Sequence, residues 1–167
     1  FKQYVSPLGL EEVLLDKPCA LPEEVVDRLR KIVGADNVST DDYDRVSVAY
    51  GKTMFDLLRL REHITEHLPD VVLYPQSKEQ IEQIVALCAE TKTPLYVYGG
   101  GSSVTRGVEA IKGGITLDMR RHFNKVVSFN EIDQTITVEA GMSGPVLEDT
   151  LRNAVTKLGA KRAYTCG

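Results

Sequence analysis

The stretch Tyr98-Gly99-Gly100-Gly101-Ser102-Ser103-Val104 gathers residue types that bind an anion through the backbone. Three successive glycines let their N–H groups converge at close range, and concave arrays of amides of this kind bind phosphate. The neighbouring serines add hydroxyl donors. Leu95 to Tyr98, after Pro94, is apolar, aromatic and β-branched, the composition of a buried strand. Taken alone, the stretch suits two readings: a diphosphate-binding loop at the end of a strand, or a flexible turn with no ligand.

Three familiar glycine motifs fail on spacing. A Walker loop needs a lysine directly after its last glycine, whereas Arg106 precedes Gly107 and no lysine follows it. The nicotinamide fingerprint needs a third glycine opening a helix, and Ser102-Ser103-Val104 opens none. A nucleophile elbow would need glycine where Val104 stands. His63-Ile64-Thr65-Glu66-His67 has the H-x-x-E-H spacing of a zinc site on a helix. Pro69 closes that segment too soon for an unbroken helix, so a solvated helix end is expected, with no metal. Arg120-Arg121 could meet phosphate but reads as a solvated turn.

The 167-residue chain is long enough to bury a core, with 43% hydrophobic and 26% charged residues, as in ordinary soluble domains. A net charge of −4 argues against a nucleic-acid partner. No apolar run approaches a bilayer span, and no signal-peptide pattern is present. Cys19, Cys88 and Cys166 have no metal-like spacing and imply no disulfide, so a reducing, cytoplasmic setting is the expectation. A start at Phe1 suggests sequence removed upstream, where a targeting signal would be invisible.

Residues 1–20 read as an irregular arm, broken by Pro7, Gly9 and Pro18. A helix is expected over 22–33, from Pro22 through acidic Glu23 and Glu24 to a stop at Gly34. Residues 50–68 suggest a helix interrupted by polar turns. Val71 to Tyr74 is a short strand, and Ser77 with Gln80 forms a capping box for a helix whose apolar face is Ile81, Ile84, Val85 and Cys88. With the strand at 95–98 this makes a βαβ unit, hence parallel strands and a right-handed crossover. The glycine loop then falls at a carboxyl strand end, where open α/β sheets bind ligands. That placement favours the diphosphate reading. Ile115 to Met119 is a further strand. Val126 to Phe129 and Thr135 to Ala140 form a hairpin. Ser143 caps a helix running to Leu158, with Leu147, Leu151, Ala154, Val155 and Leu158 as its apolar face and Gly159 as its stop.

In this order, Pro69-Asp70-Val71-Val72-Leu73-Tyr74-Pro75, the capped helix, Pro94 and Tyr98 to Gly107 resemble the FAD-binding domain of the vanillyl-alcohol oxidase (PCMH) type. Asp56-Leu57-Leu58-Arg59-Leu60-Arg61 and Val138-Glu139-Ala140-Gly141 look most like the alkyldihydroxyacetonephosphate synthase-like branch. The resemblance covers residues 45–167. It implies an α+β fold: a 1–44 arm and helix, a parallel βαβ first FAD-binding subdomain at 45–118, and the start of an antiparallel second one at 119–167. Val97, Tyr98, Gly99, Gly100, Gly101, Ser102 and Ser103, followed by Val104, match the family's first FAD-binding loop, whose N–H groups hold the diphosphate. Some relatives carry a flavin-linked histidine where Gly101 stands, so noncovalent FAD is implied.

The resemblance also implies that the chain stops mid-fold, with substrate domain and catalytic residues beyond Gly167, and that the fragment alone is inactive and binds FAD weakly or not at all. The parent is expected to act on a small-molecule or lipid-like substrate, exchanging the acyl group of an acylated dihydroxyacetone phosphate for a fatty alkyl chain. A lactate- or glycolate-type 2-hydroxy-acid dehydrogenase and a noncatalytic nucleotide- or phosphate-binding module are the alternatives. Membrane association of the parent, a peripheral location and a homodimer stay open.

Overall fold

The computed structural model describes residues 12–166; most of the expected arm and Gly167 lie outside them. Helix α1 (Glu23–Val33) carries acids in its first turn and bases in its last, and ends at Gly34, whose φ of +85° suits glycine. It buries Val25, Val26, Leu29 and Val33. Strand β1 (Val38–Ser39) and helix α2 (Asp42–Ser47) follow, the latter capped by Asp41, whose carboxylate accepts from the Tyr43 N–H. Helix α3 is shorter than expected, Met54–Arg61, opened by a Thr53–Asp56 capping box. His63, at φ +57°, turns the chain out of the helix.

Strand β2 (Val71–Leu73) leads into helix α4 (Lys78–Thr91). Ser77 caps it by accepting from the Gln80 N–H, but Gln80 Oε1 accepts from Gln76 N rather than completing the box on Ser77. The buried face of α4 is Ile84, Leu87 and Cys88; Val85, assigned to it from spacing, is exposed. Strand β3 is Leu95–Tyr98 and β4 is Ile115–Asp118.

The sheet order is β1-β2-β4-β3, with β4 parallel to both β2 and β3, and β1 antiparallel to β2. The βαβ expectation holds for strand direction, with β4 occupying the place between its two strands. On one face, α1 and α4 bury Val71, Leu73, Ile115 and Leu117. On the other, the connection through residues 99–114 and the segment after α2 enclose Val48, Val72, Tyr98 and Val108. Lying at the edge, β3 is less buried than its composition suggests, and Val97 is exposed.

Strands β5 (Val126–Asn130) and β6 (Thr135–Val138) form the expected antiparallel hairpin. The last helix divides at Asn153 into α5 (Gly144–Arg152) and α6 (Ala154–Lys157), leaving Val155 exposed. Asn153 competes for local backbone groups: its side-chain amide donates to the Asp149 carbonyl at 2.8 Å. Ser143 holds the N-cap position of α5 without a side-chain cap bond. Among the described residues, no helix is long and apolar enough to cross a membrane.

Candidate anion-binding loop at the carboxyl end of the sheet

The three glycines differ in their surroundings. Gly101 has φ +66°, and a Cβ there would run into the Tyr98 hydroxyl and ring. A Cβ on Gly99 would lie 2.7 Å from the Ala140 carbonyl oxygen. One on Gly100 would meet nothing within 4 Å, so this backbone faces open space. Gly101 is therefore set by conformation, Gly99 by backbone packing, and Gly100 is open to a ligand. Such a cradle fits a diphosphate bound by amides without a lysine.

Ser103 Oγ accepts from the Gly107 N–H at 2.9 Å and so closes the far end of the loop. Ser102 and Val104 are exposed around it. Val97 lies within the ladder, opposite Leu117, one residue short of the turn. Behind Ser103, Gly51 lies so close that a Cβ would collide with the Ser103 carbonyl.

Tyr98 and Asp118 are partners across β3 and β4. Arg120 bridges them: its Nε lies 2.9 and 3.1 Å from the two Asp118 carboxylate oxygens, and its guanidinium covers the Tyr98 ring at 4.7 Å. The solvated turn expected here is thus a built contact. Hydrogen bonding to Asp118 holds the Arg120 pKa above its ordinary value. Arg121 covers Tyr74, lining with Asp44, Asp118 and Arg120 a cleft of about 660 Å³ at the carboxyl ends of β2 and β4. Burial, then the Asp44 carboxylate, pushes the Tyr74 phenol up to about 12.

The turn after β6 meets the loop. Gly141 lies on the Met119–Arg120 backbone, where a Cβ would collide with the Met119 carbonyl, and its N–H donates to Phe123 O at 2.7 Å. The carboxyl ends of β3 and β4 and the turn at 139–141 therefore converge on the three glycines.

A buried carboxylate anchors the return of the loop. Glu109 accepts from Arg59 at 2.9 Å, pairs with His67 Nδ1 at 2.8 Å and has Arg106 at 3.5 Å. Burial acts to raise its pKa, but the bonds to His67 and Arg59 prevail and hold it below the ordinary carboxylate value. His67 is thus engaged with Glu109 while His63 sits in a left-handed turn, so the H-x-x-E-H residues share no helical face. Among the described residues, no three His, Cys, Asp or Glu side chains are grouped to hold a metal.

Three parallel strands, β2-β4-β3, with a glycine cradle at their carboxyl ends have the layout of a nucleotide- or dinucleotide-binding class of fold. The family of FAD binding domains matches residues 69–166, and this chain belongs to it. It is 30% identical over 155 residues to alkyldihydroxyacetonephosphate synthase of Dictyostelium discoideum, covering 91% of this chain and 25% of that protein. It is likewise 30% identical over 131 residues to the mitochondrial D-lactate dehydrogenase [cytochrome] of Arabidopsis thaliana, covering 78% of this chain and 22% of that one. A solved alkyldihydroxyacetonephosphate synthase superposes with a TM-score of 0.74 at 29% identity, over 82% of this chain and 28% of its own. A 4-ethylphenol oxidase from Gulosibacter chungangensis shares the fold, with a TM-score of 0.63 at 21% identity, over 82% of this chain and 26% of its own. The chain spans about a quarter of the length of the curated relatives it matches. The α+β fold is that of the FAD-binding domain, and FAD is its cofactor.

Proposed function

We propose that this chain grips the FAD diphosphate in a longer flavoenzyme of the alkyldihydroxyacetonephosphate synthase-like branch. The observation that carries the reading is the cradle at Gly99 to Gly101, with Gly101 at φ +66° and the backbone of Gly100 open. Bound FAD would supply the redox chemistry. Val97 to Val104 would supply the amide and hydroxyl donors that fix its diphosphate, noncovalently, since Gly101 has no side chain to bond the ring. The same reading divides the chain into 1–44, a first subdomain at 45–118 and the start of a second at 119–167.

For the parent, the reading implies a lipid-like substrate and a cytoplasmic or membrane-peripheral setting. The exposed Met54, Phe55 and Leu57 of α3 suit pairing into a homodimer. Vesicle sedimentation and equilibrium ultracentrifugation of the full-length protein test these points. The visible spectrum of that protein tests the core of the proposal. Flavin bands, with free FAD released on denaturation, are expected; a protein that stays colourless with added FAD overturns it.

The likeness to a D-lactate dehydrogenase supports a second reading, an oxidase or dehydrogenase of 2-hydroxy acids. Anaerobic bleaching of the flavin band by lactate or glycolate would favour it, and no bleaching favours the synthase-like branch.

A further inference from the structure

Tyr98 is 2% exposed, yet its hydroxyl reaches the glycine loop instead of a protein partner. Among the described residues no hydrogen bond engages that hydroxyl, and burial is the first cause of its raised pKa, opposed by Arg120 and aided by Asp118. At neutral pH it is an uncharged O–H donor. The hydroxyl reaches solvent at the loop, where water can satisfy it, and a ligand oxygen seated in the amide cradle can take the place of that water. Unlike the Thr116 hydroxyl, which is unpartnered and sealed within the sheet, this one is not enclosed.

The side chain is also held in place. Its ring lies beneath the Arg120 guanidinium, and Arg120 is fixed by Asp118, the ladder partner of Tyr98. The charge of Arg120 is engaged by that carboxylate, and its guanidinium plane holds the phenol ring in position. We propose that the Tyr98 hydroxyl donates to a phosphate oxygen held by the glycine loop, with Arg120 as its positioning residue. The proposal rests on the diphosphate reading of the loop and adds to it a side-chain donor.

The test is an amide-shift titration of the 167-residue chain with inorganic pyrophosphate and with FAD, followed at Gly99, Gly100 and Gly101, beside a thermal melt. Tyr98→Phe keeps the ring and removes only the donor. Its Kd for both probes is expected to rise about tenfold, the scale of one hydrogen bond to a charged acceptor, with the melting temperature unchanged. Arg120→Gln in an Asp118→Asn background, which leaves no bare carboxylate to repel the anion, is expected to weaken binding as well. The double variant with Tyr98→Phe in that background is expected to be no weaker than Tyr98→Phe there alone, because one residue acts through the other. Equal affinity of Tyr98→Phe and the unaltered chain overturns the hydroxyl as donor. Additive losses in the double variant overturn the positioning role of Arg120. If neither probe moves the glycine amides of the unaltered chain at millimolar concentration, the titration is repeated by flavin fluorescence on the flavin-stripped full-length protein, and no binding there overturns the diphosphate reading and this proposal with it.

Discussion

The Tyr98 hydroxyl stands where a Cβ at Gly101 would have to go. The last residue of β3 thereby occupies the room a side chain would need three residues further on, and the φ of +66° at Gly101 independently strains any residue but glycine. Gly101→Ala is expected to destabilise the chain by about 1–2 kcal/mol from the left-handed backbone alone, with the displacement of Tyr98 added. Urea unfolding measures it.

Gly100→Ala separates binding from folding. Its Cβ meets nothing within 4 Å, so unfolding is expected to shift by about 0.5 kcal/mol or less. Pyrophosphate binding should nevertheless weaken, because the methyl group would occupy the approach to the amides. Unchanged binding would mean that this glycine only turns the chain.

Glu109 is buried among Arg59, His67 and Arg106. Glu109→Ala removes the nearest of three carboxylates around Arg59, leaving Asp56 at 3.7 Å and Glu66 at 3.2 Å, and is expected to cost about 2 kcal/mol, the scale of a hydrogen bond to a charged group. Glu109→Gln keeps an acceptor and should cost less. Both values come from denaturant midpoints at neutral pH.

The same carboxylate gives an acid signature. Its folded pKa lies below the ordinary value, so its contribution is present above the unfolded pKa of about 4.3 and is lost as pH falls through the folded value. The stability difference between the unaltered chain and Glu109→Gln is expected to hold from neutral pH to about 5 and shrink below that. A difference that stays constant to low pH would show that Glu109 acts by shape rather than charge.

Thr116 sits in the middle of β4 with its hydroxyl buried and unpartnered. Thr116→Val preserves the β-branched shape and removes the unsatisfied group. A gain of about 1 kcal/mol is expected in thermal or urea unfolding.

Local signals in the sequence were strong where one residue's chemistry decides the outcome. Gly34 ends α1, Ser77 opens α4, and the glycines after Tyr98 mark the loop, because capping and left-handed turns depend on short stretches of chain. The place of β4 between β2 and β3 was not legible, since strand order rests on contacts between distant segments. The exposure of Val97 and Val85 follows from that: apolar spacing marks a face, while neighbours decide which part of it is covered. Arg120 looked like a solvated turn residue because its partner Tyr98 lies on another strand. Glu109 and His67 were likewise hidden, being 42 residues apart. Gly141, which the sequence marks as the end of the second hairpin strand and as part of a motif, acquires its physical reason from the Met119 carbonyl pressed against it.

That contact and its counterpart, Gly99 against the Ala140 carbonyl, work as a mechanical linkage. Each removes the clearance that a side chain would need, so the backbone after β6 is wedged between the ends of β3 and β4. A rigid rotation of the β5–β6 hairpin must push on the glycine turn, and a ligand seated in that turn must resist the rotation. The loop is thus a strain gauge for the junction of the two sheets, and bulk added at Gly141 should press first on Met119 and Arg120 and reach Gly99 through Ala140.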